Sequence, residues 1–345
     1  MVQVLHSKSF LWRLLLVFYA ALVGVLFGFM ILAYPFGAYV VFNTELGSTI
    51  THEFPLESFY VFFAGIPMDL QTNLQLGELF IALWCFYLLF FTMLMLGPKR
   101  NILQSLIGTI NGEEESSKGN SLHMVIVWLA VLLVISKALE IIQQSFGVST
   151  GSIEFPNPLI QFFNITAAPV REELGFRVIL IGVPAYLIFA TRRSVADFFK
   201  TLWYPSKYTS FDQYTRRNVY ALITISAILF GLAHLFYGGG WSYGKITQAM
   251  IGGWILGWLY YRYGLHAAIL LHWSTNYFIF SYGYFGNTVW GFPWNDAANN
   301  PLLGSIDFLL TITGIIAIAI FLQKRISDYL AIKRQQNSFK DTGIR

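Results

Sequence analysis

Charge is what this chain has least of. Only 12% of its 345 residues are Asp, Glu, Lys or Arg, against roughly 25% in a soluble domain. With 56% hydrophobic residues and a mean hydropathy of +0.57, that deficit excludes an ordinary soluble enzyme. Cysteine is nearly absent. The single Cys85 excludes an intrachain disulfide and any Cys-based metal site. Clusters of basic residues on a soluble face are also missing, and the net charge of +4 lies mostly in loops. A nucleic-acid partner is therefore not expected. Internal repeats are lacking too, as is any segment long enough for a second domain outside the membrane.

What is present is a series of long apolar runs. A spanning helix needs about 20 mostly apolar residues, and eight segments qualify or nearly so: 10–34, 79–97, 122–142, 169–190, 218–236, 246–261, 265–282 and 303–323. The first is too long and continuous for a signal peptide. Residues 159–168 either extend the fourth span or lead into it with a break near Pro169. Basic residues alternate between loops: Lys8 and Arg13; Lys99, Arg100 and Lys118; Arg192, Arg193, Lys200, Lys207, Arg216 and Arg217; Arg262; and six in the tail after 323. Loops 43–77, 145–168, 238–244 and 283–302 contain no Lys or Arg. The positive-inside rule then predicts an all-α polytopic membrane protein of about eight spans, with both termini cytoplasmic and the cell membrane as its default location. Aromatics in the long outer loops (Phe59, Tyr60, Phe62, Phe63, Trp290, Phe292, Trp294) are expected to form an interfacial belt. Glu113, Glu114 and Glu115 read as a solvated inner linker.

Inside this apolar background stands a polar constellation. The run Val170-Arg-Glu-Glu-Leu-Gly-Phe-Arg177 puts adjacent glutamates, Glu172 and Glu173, at membrane depth. Such charges are costly, and they usually pair or line a functional cavity. Residues four apart share a helix face, so Glu173 and Arg177 are expected to pair. Glu172 points about 100° away and stays available as a general base. Phe230-Gly-Leu-Ala-His234 follows in the fifth span. His272-Trp-Ser-Thr-Asn276 lies in the seventh, with His272 and Asn276 on one face. Glu, His, His and Asn are the groups that hold a metal or a water and stabilise an oxyanion. Each also has a plainer reading: a membrane histidine often bonds a neighbouring helix, and Glu173–Arg177 alone would serve as a structural ion pair.

Other protease chemistries fit poorly. His52-Glu53 is followed by Leu56 where a second zinc-binding histidine should stand, and Asp307 is the only aspartate placed for a paired-aspartate site. Gly147-Val-Ser-Thr-Gly151 and Gly240-Trp-Ser-Tyr-Gly244 lack the strand-to-helix turn of a nucleophile elbow and read as outer turns. Lys137 and Glu140, three apart, can pair, as a helix-packing or gating pair or as part of an ion path, with packing favoured. Gly253-x-x-x-Gly257 and Gly24-x-x-x-Gly28 offer small faces for helix packing.

Glu-Glu-x-x-x-Arg, Phe-x-x-x-His and His-x-x-x-Asn, in that order on polytopic helices, resemble the CPBP family over about residues 159–282. That family groups CaaX proteases with bacteriocin-processing enzymes and is also called the Abi family of intramembrane metalloproteases. The similarity to type II CaaX prenyl endopeptidases implies an intramembrane endopeptidase acting on a membrane-tethered substrate, prenylated or not. It divides the chain into an N-terminal three-span region (1–158), a core of the family's type (159–282), and an outer loop, last span and basic tail (283–345). Carried over, Glu172 would activate water with His234. His272 and Asn276 would bind the oxyanion or complete the site, and Glu173, Arg177 and Phe230 would support it. Glu172, His234 and His272 could hold zinc with a fourth place for water; a metal-free site would use the same residues. The competing expectation is a non-enzymatic transporter, immunity or scaffold protein that retains the motifs. Counting helical rise from the inner basic loops, Glu172 lies roughly 30 Å away, His234 roughly 25 Å, and His272 and Asn276 roughly 15 and 21 Å. These depths place the cluster in the outer half of the membrane.

Overall fold

A computed structural model describes residues 10–53, 58–113, 119–151, 157–210, 212–237, 240–293 and 300–341. Lys8, Glu114, Glu115, Lys118 and Trp294 lie outside them. The order is α1 (Phe10–Asn43), α2 (Glu45–Glu53), β1 (Ser58–Phe63), β2 (Ile66–Gln71), α3 (Leu76–Leu96), α4 (Ile102–Ile110), α5 (Ser121–Ser145) and α6 (Pro158–Glu172). A π-helical segment (Glu173–Gly182) leads into α7 (Val183–Phe189), followed by α8 (Val195–Trp203), α9 (Pro205–Tyr208), α10 (Gln213–Tyr237), α11 (Tyr243–Tyr263) and α12 (Leu265–Trp273). A second π segment (Ser274–Phe278) leads into α13 (Ile279–Trp290), and α14 (Pro301–Asp341) follows. All eight expected segments are helical. Five helices are long and apolar enough to cross a membrane: α1, α3, α5, α10 and the stretch Pro301–Lys333 of α14. The remaining three segments carry more polar residues or are interrupted by π turns, and two of them carry the first and third motifs.

The chain is not wholly helical. Residues 58–71, expected to lie as a loop on the membrane interface, form an antiparallel hairpin pairing Ser58 with Gln71 through Phe63 with Ile66. Its turn, Ala64-Gly65, has φ of 51° and 90°, the positive pair that a two-residue hairpin turn of matching twist requires. Tyr60 and Phe62 turn inward against the helices, while Phe63, Ile66, Met68 and Leu70 face out. Tyr60 and Phe62 thus face the helices and Phe63 does not, as alternate residues of a strand point to opposite faces. The loop expected after residue 282 is also shorter than its sequence implied. Helix α13 runs on to Trp290 and stops at Gly291, whose left-handed φ of 67° ends it.

Basic loops gather at one end of the bundle. Lys207 lies near Lys99, and its ammonium is pushed below the usual range, first by partial burial and then by that charge. Trp203 stacks on His266 at 5.3 Å, and Asn120 donates to the Arg100 carbonyl. Arg100 pairs with Glu113 at 2.5 Å, so Glu113 is half-exposed but partnered. The opposite end holds the hairpin and the two Gly-x-Ser-x-Gly turns. Those turns bond to each other: Gly151 bridges Trp241, and Ser242 donates its amide to the Thr150 carbonyl. Neither turn forms a nucleophile elbow.

Lys137 does not pair with Glu140. Its ammonium lies 2.5 Å from Asp307 and 3.0 Å from Thr311 on α14, while Glu140 accepts from Gln144 on its own helix. Helix α14 packs along α5 and brings a carboxylate face to face with Lys137, which an i,i+3 neighbour pointing aside cannot match. Gly253 and Gly257 let α11 press against α10 at Phe230, Ala227 and Ile223, whereas Gly28 has open space beside it. Only the first glycine pair is a packing seam.

Candidate active site

The first motif begins just after a proline inside a continuous helix. Pro169 sits inside α6, offers no N–H to the carbonyl of Ile165, and crowds it. Three consecutive carbonyls there receive side-chain donors. Arg171 Nη2 bonds Asn164 O at 3.0 Å, Asn276 Nδ2 bonds Ile165 O at 3.1 Å, and the Tyr87 hydroxyl bonds Thr166 O at 2.6 Å. From Glu173 the helix continues as the π segment, a geometry concentrated at functional sites.

Glu173 is fully buried and serves two partners. Its Oε2 lies 3.0 Å from Arg177 Nε, so the expected pair forms, although the N–H is not aligned as a hydrogen bond. Its Oε1 accepts from His272 Nδ1 at 2.8 Å. Glu172 addresses the other side of that ring, with its Oε2 3.7 Å from His272 Nε2. That oxygen is buried with no hydrogen-bond partner. The two adjacent glutamates, diverging on their helix, therefore meet opposite nitrogens of one imidazole.

His234 is held by its own helix: Nδ1 lies 2.9 Å from the Phe230 carbonyl. A carbonyl and a carboxylate only accept, so in the neutral rings both Nδ1 atoms carry the proton and both Nε2 atoms present a lone pair. Phe230 is the hub between them. Its ring meets His234 edge-on at 4.6 Å and His272 at 6.1 Å, and carries the Arg177 guanidinium over its face at 4.3 Å. In an apolar setting such a cation–π contact contributes about 2 kcal/mol. Gly253 permits this close approach of α11, and its carbonyl accepts from Arg177 Nη2 at 3.4 Å. Glu172, Glu173, Arg177, Phe230, His234 and His272 lie in this one region. Asn276 differs from expectation in one respect: one of its amide hydrogens is already committed to the Ile165 carbonyl.

Three participants were not foreseen. Arg171 is buried and stacks on Tyr60 of the hairpin at 3.9 Å; its place beside two glutamates in an apolar run was the available signal. Tyr87 gave no signal, because its partner is 79 residues away. Lys245 lies over the Trp241 ring at 3.9 Å, close enough to feel the charge of Glu172. The hairpin itself was legible in the aromatic strand residues before Ala64-Gly65. It lies directly on the motif helix: a side chain at Gly175 would collide with the backbone of Phe62.

Two imidazole Nε2 atoms and an unpartnered carboxylate oxygen are the right donors for zinc. In this arrangement, however, no group of three His, Cys, Asp or Glu side chains among the described residues is close enough to hold an ion.

No curated protein and no solved structure matches the chain significantly. Residues 155–278 match the family model for type II CAAX prenyl endopeptidase Rce1-like proteins. The match covers Pro169 and the first motif, both histidines and Asn276, the same region over which the three motifs resemble that family.

Proposed function

We propose that this chain is an eight-span intramembrane endopeptidase, with both termini cytoplasmic, that hydrolyses a peptide bond in a membrane-tethered substrate. One observation carries the reading: Glu172 and Glu173 address opposite nitrogens of His272, and Phe230 holds His234 beside them. A purely structural ion pair would need Glu173 and Arg177 alone. It would leave the unpartnered Glu172 oxygen without a purpose.

Glu172, helped by Nε2 of His234, takes a proton from water as the water oxygen attacks the scissile carbonyl carbon. The carbonyl oxygen becomes an oxyanion. It is received by the amide hydrogen of Asn276 not used on Ile165. Glu173, accepting from Nδ1, keeps the His272 ring oriented with Nε2 toward Glu172. As the tetrahedral centre collapses, the C–N bond breaks and the proton held on Glu172 goes to the leaving nitrogen. Such positioned acid–base groups contribute about 10²–10⁴-fold each. A zinc ion drawn in among Glu172, His234 and His272 would supply a more acidic bound water; no step above requires it.

The site lies at the end of the bundle that carries the hairpin and the loops free of Lys and Arg. We read that end as the outer one, which favours an exported or membrane-anchored substrate over a prenylated cytosolic tail. The deciding experiment is cleavage of a panel of membrane-tethered and prenylated peptides by purified protein, wild type beside Glu172→Ala and His234→Ala, with metal content measured in each. Cleavage by wild type alone is expected. Metal held by wild type and lost in the variants would make the site a metal site. Equal complementation of a deletion strain by all three proteins would overturn the enzyme reading in favour of a scaffold.

A further inference from the structure

We infer that Lys245 is a specificity residue, whose ammonium receives a carboxylate of the substrate beside Glu172 and His234. This inference rests on the protease reading and adds to it the charge of the substrate.

Four basic residues lie outside the basic loops and the tail: Lys137, Arg171, Arg177 and Lys245. Three of them have oxygen partners. Lys137 meets Asp307, Arg171 meets the Asn164 carbonyl, and Arg177 meets Glu173 and the Gly253 carbonyl. Lys245 has no such partner among the described residues. Its ammonium lies 3.9 Å from the centre of the Trp241 ring. A ring face attracts the charge but offers no acceptor oxygen to the three N–H donors of an ammonium.

Helix packing sets where that ammonium stands. Helices α10 and α11 run antiparallel along a close seam: Gly257 faces Ile223, Gly253 faces Ala227 and Phe230, and Gly231 faces Ile246 and Met250. Carried on past Gly231, the same register brings the first turn of α11 to the level of His234. Lys245 stands in that turn, near enough to Glu172 and His234 for their charges to interact. It does not pair with Glu172, whose ion contact is His272. The turn is also braced. Gly151 pairs with Trp241, the Ser242 and Gly244 amides bond the Thr150 and Ser149 carbonyls, and Gln143 bonds the Gly244 carbonyl at 2.8 Å. A lysine at a membrane interface commonly sends its head out to water. Tyr243, two residues earlier, does face out, whereas Lys245 is partly buried over Trp241.

A peptide with its scissile carbonyl at Glu172 and His234 can offer this ammonium one kind of anion, a carboxylate. It comes either from the C-terminus or from an acidic side chain near the cleaved bond. A charge-assisted hydrogen bond of this kind contributes about 10–100-fold in binding.

The test uses two matched pairs of membrane-tethered peptides: C-terminal acid against amide, and Glu against Gln beside the scissile bond. Wild type should prefer the charged member of one pair by about tenfold or more in kcat/KM. The difference should lie in KM, as ground-state binding requires. The pair that shows the preference identifies the source of the carboxylate. In Lys245→Met the charged-to-neutral ratio should fall to about one, and Lys245→Arg should keep part of it. No preference in wild type, or a ratio that survives Lys245→Met, would overturn the inference. So would a dependence on anionic lipid in the vesicle that Lys245→Met removes while peptide charge has no effect, which would give the ammonium to a phosphate headgroup instead. If wild type cleaves none of the peptides, the protease reading fails on its own. The subsite is then read by thermal shift of the intact protein with saturating peptide. Greater stabilisation by the charged member is expected in wild type and not in Lys245→Met, and equal shifts in wild type would sink the subsite as well.

Discussion

Glu173 does more in this site than balance Arg177. By accepting from Nδ1 of His272 at 2.8 Å it selects the tautomer that turns Nε2 toward Glu172. Glu173→Gln can present its amide nitrogen to His272 as readily as its oxygen, and the tautomer is then no longer fixed. Turnover is expected to fall by about 10²–10⁴-fold, the usual worth of an acid–base group, measured as kcat on whichever peptide the wild type cleaves. The same change leaves Arg177 buried without its counter-ion, and breaking a buried pair costs about 3–5 kcal/mol. Stability should therefore be followed beside rate. The double variant Glu173→Gln/Arg177→Met should regain stability without regaining rate. Recovery of both would show that the pair is structural and that His272 does not depend on it.

Among the elements, the hairpin rests on the motif helix without room to spare. Gly175 has no room for a methyl group because the backbone and Cβ of Phe62 rest on it. Gly175→Ala is expected to lift the hairpin from the motif helix and raise its susceptibility to protease, read by limited proteolysis of the hairpin; no change would mean that the hairpin is not seated as described. At the other end of the bundle, α10 begins at Asp212. Its carboxylate accepts from the Thr215 amide at 2.7 Å and the Thr215 hydroxyl at 2.9 Å. Those hydrogen bonds, led by the backbone one, hold its pKa down to about 2. A depressed carboxylate contributes stability above its unfolded pKa and loses it as pH falls through the folded one. The advantage of wild type over Asp212→Ala should therefore persist at neutral pH and fade between about pH 4 and 2, measured by paired thermal melts.

Helical segments and the three motifs were legible because hydropathy and the i,i+4 rule are local properties of the chain. The two glutamates, the two histidines and Asn276 could be named from their spacing alone. The rest depends on contacts that spacing cannot express. Asn276 reaches Ile165 across 111 residues of sequence, Tyr87 reaches Thr166 across 79, and Lys137 reaches Asp307 across 170. The close approaches to the π segment are likewise non-local: the hairpin's Phe62 at Gly175 and Tyr260 of α11 at Gly182.

For the whole molecule, the sharpest question is orientation. If the hairpin end is outside, single cysteines introduced at Met68 and at Glu172 should react with an impermeant reagent from outside, and one at Lys200 only from inside. Labelling of the Glu172 and Asn276 positions solely from inside would reverse the proposed access and bring the site to the cytosolic leaflet.

The contact between Lys137 and Asp307 has a consequence in time. A ribosome adding about 5–20 residues per second needs roughly 10–30 seconds to make the 170 residues that separate them. Until α14 arrives, α5 must wait with an uncompensated ammonium in its apolar stretch. The nascent protein therefore cannot finish assembling helix by helix in the order of synthesis. Chains stopped before residue 300 should be held by the insertion machinery or degraded, and Lys137→Met should relieve that dependence on the last helix.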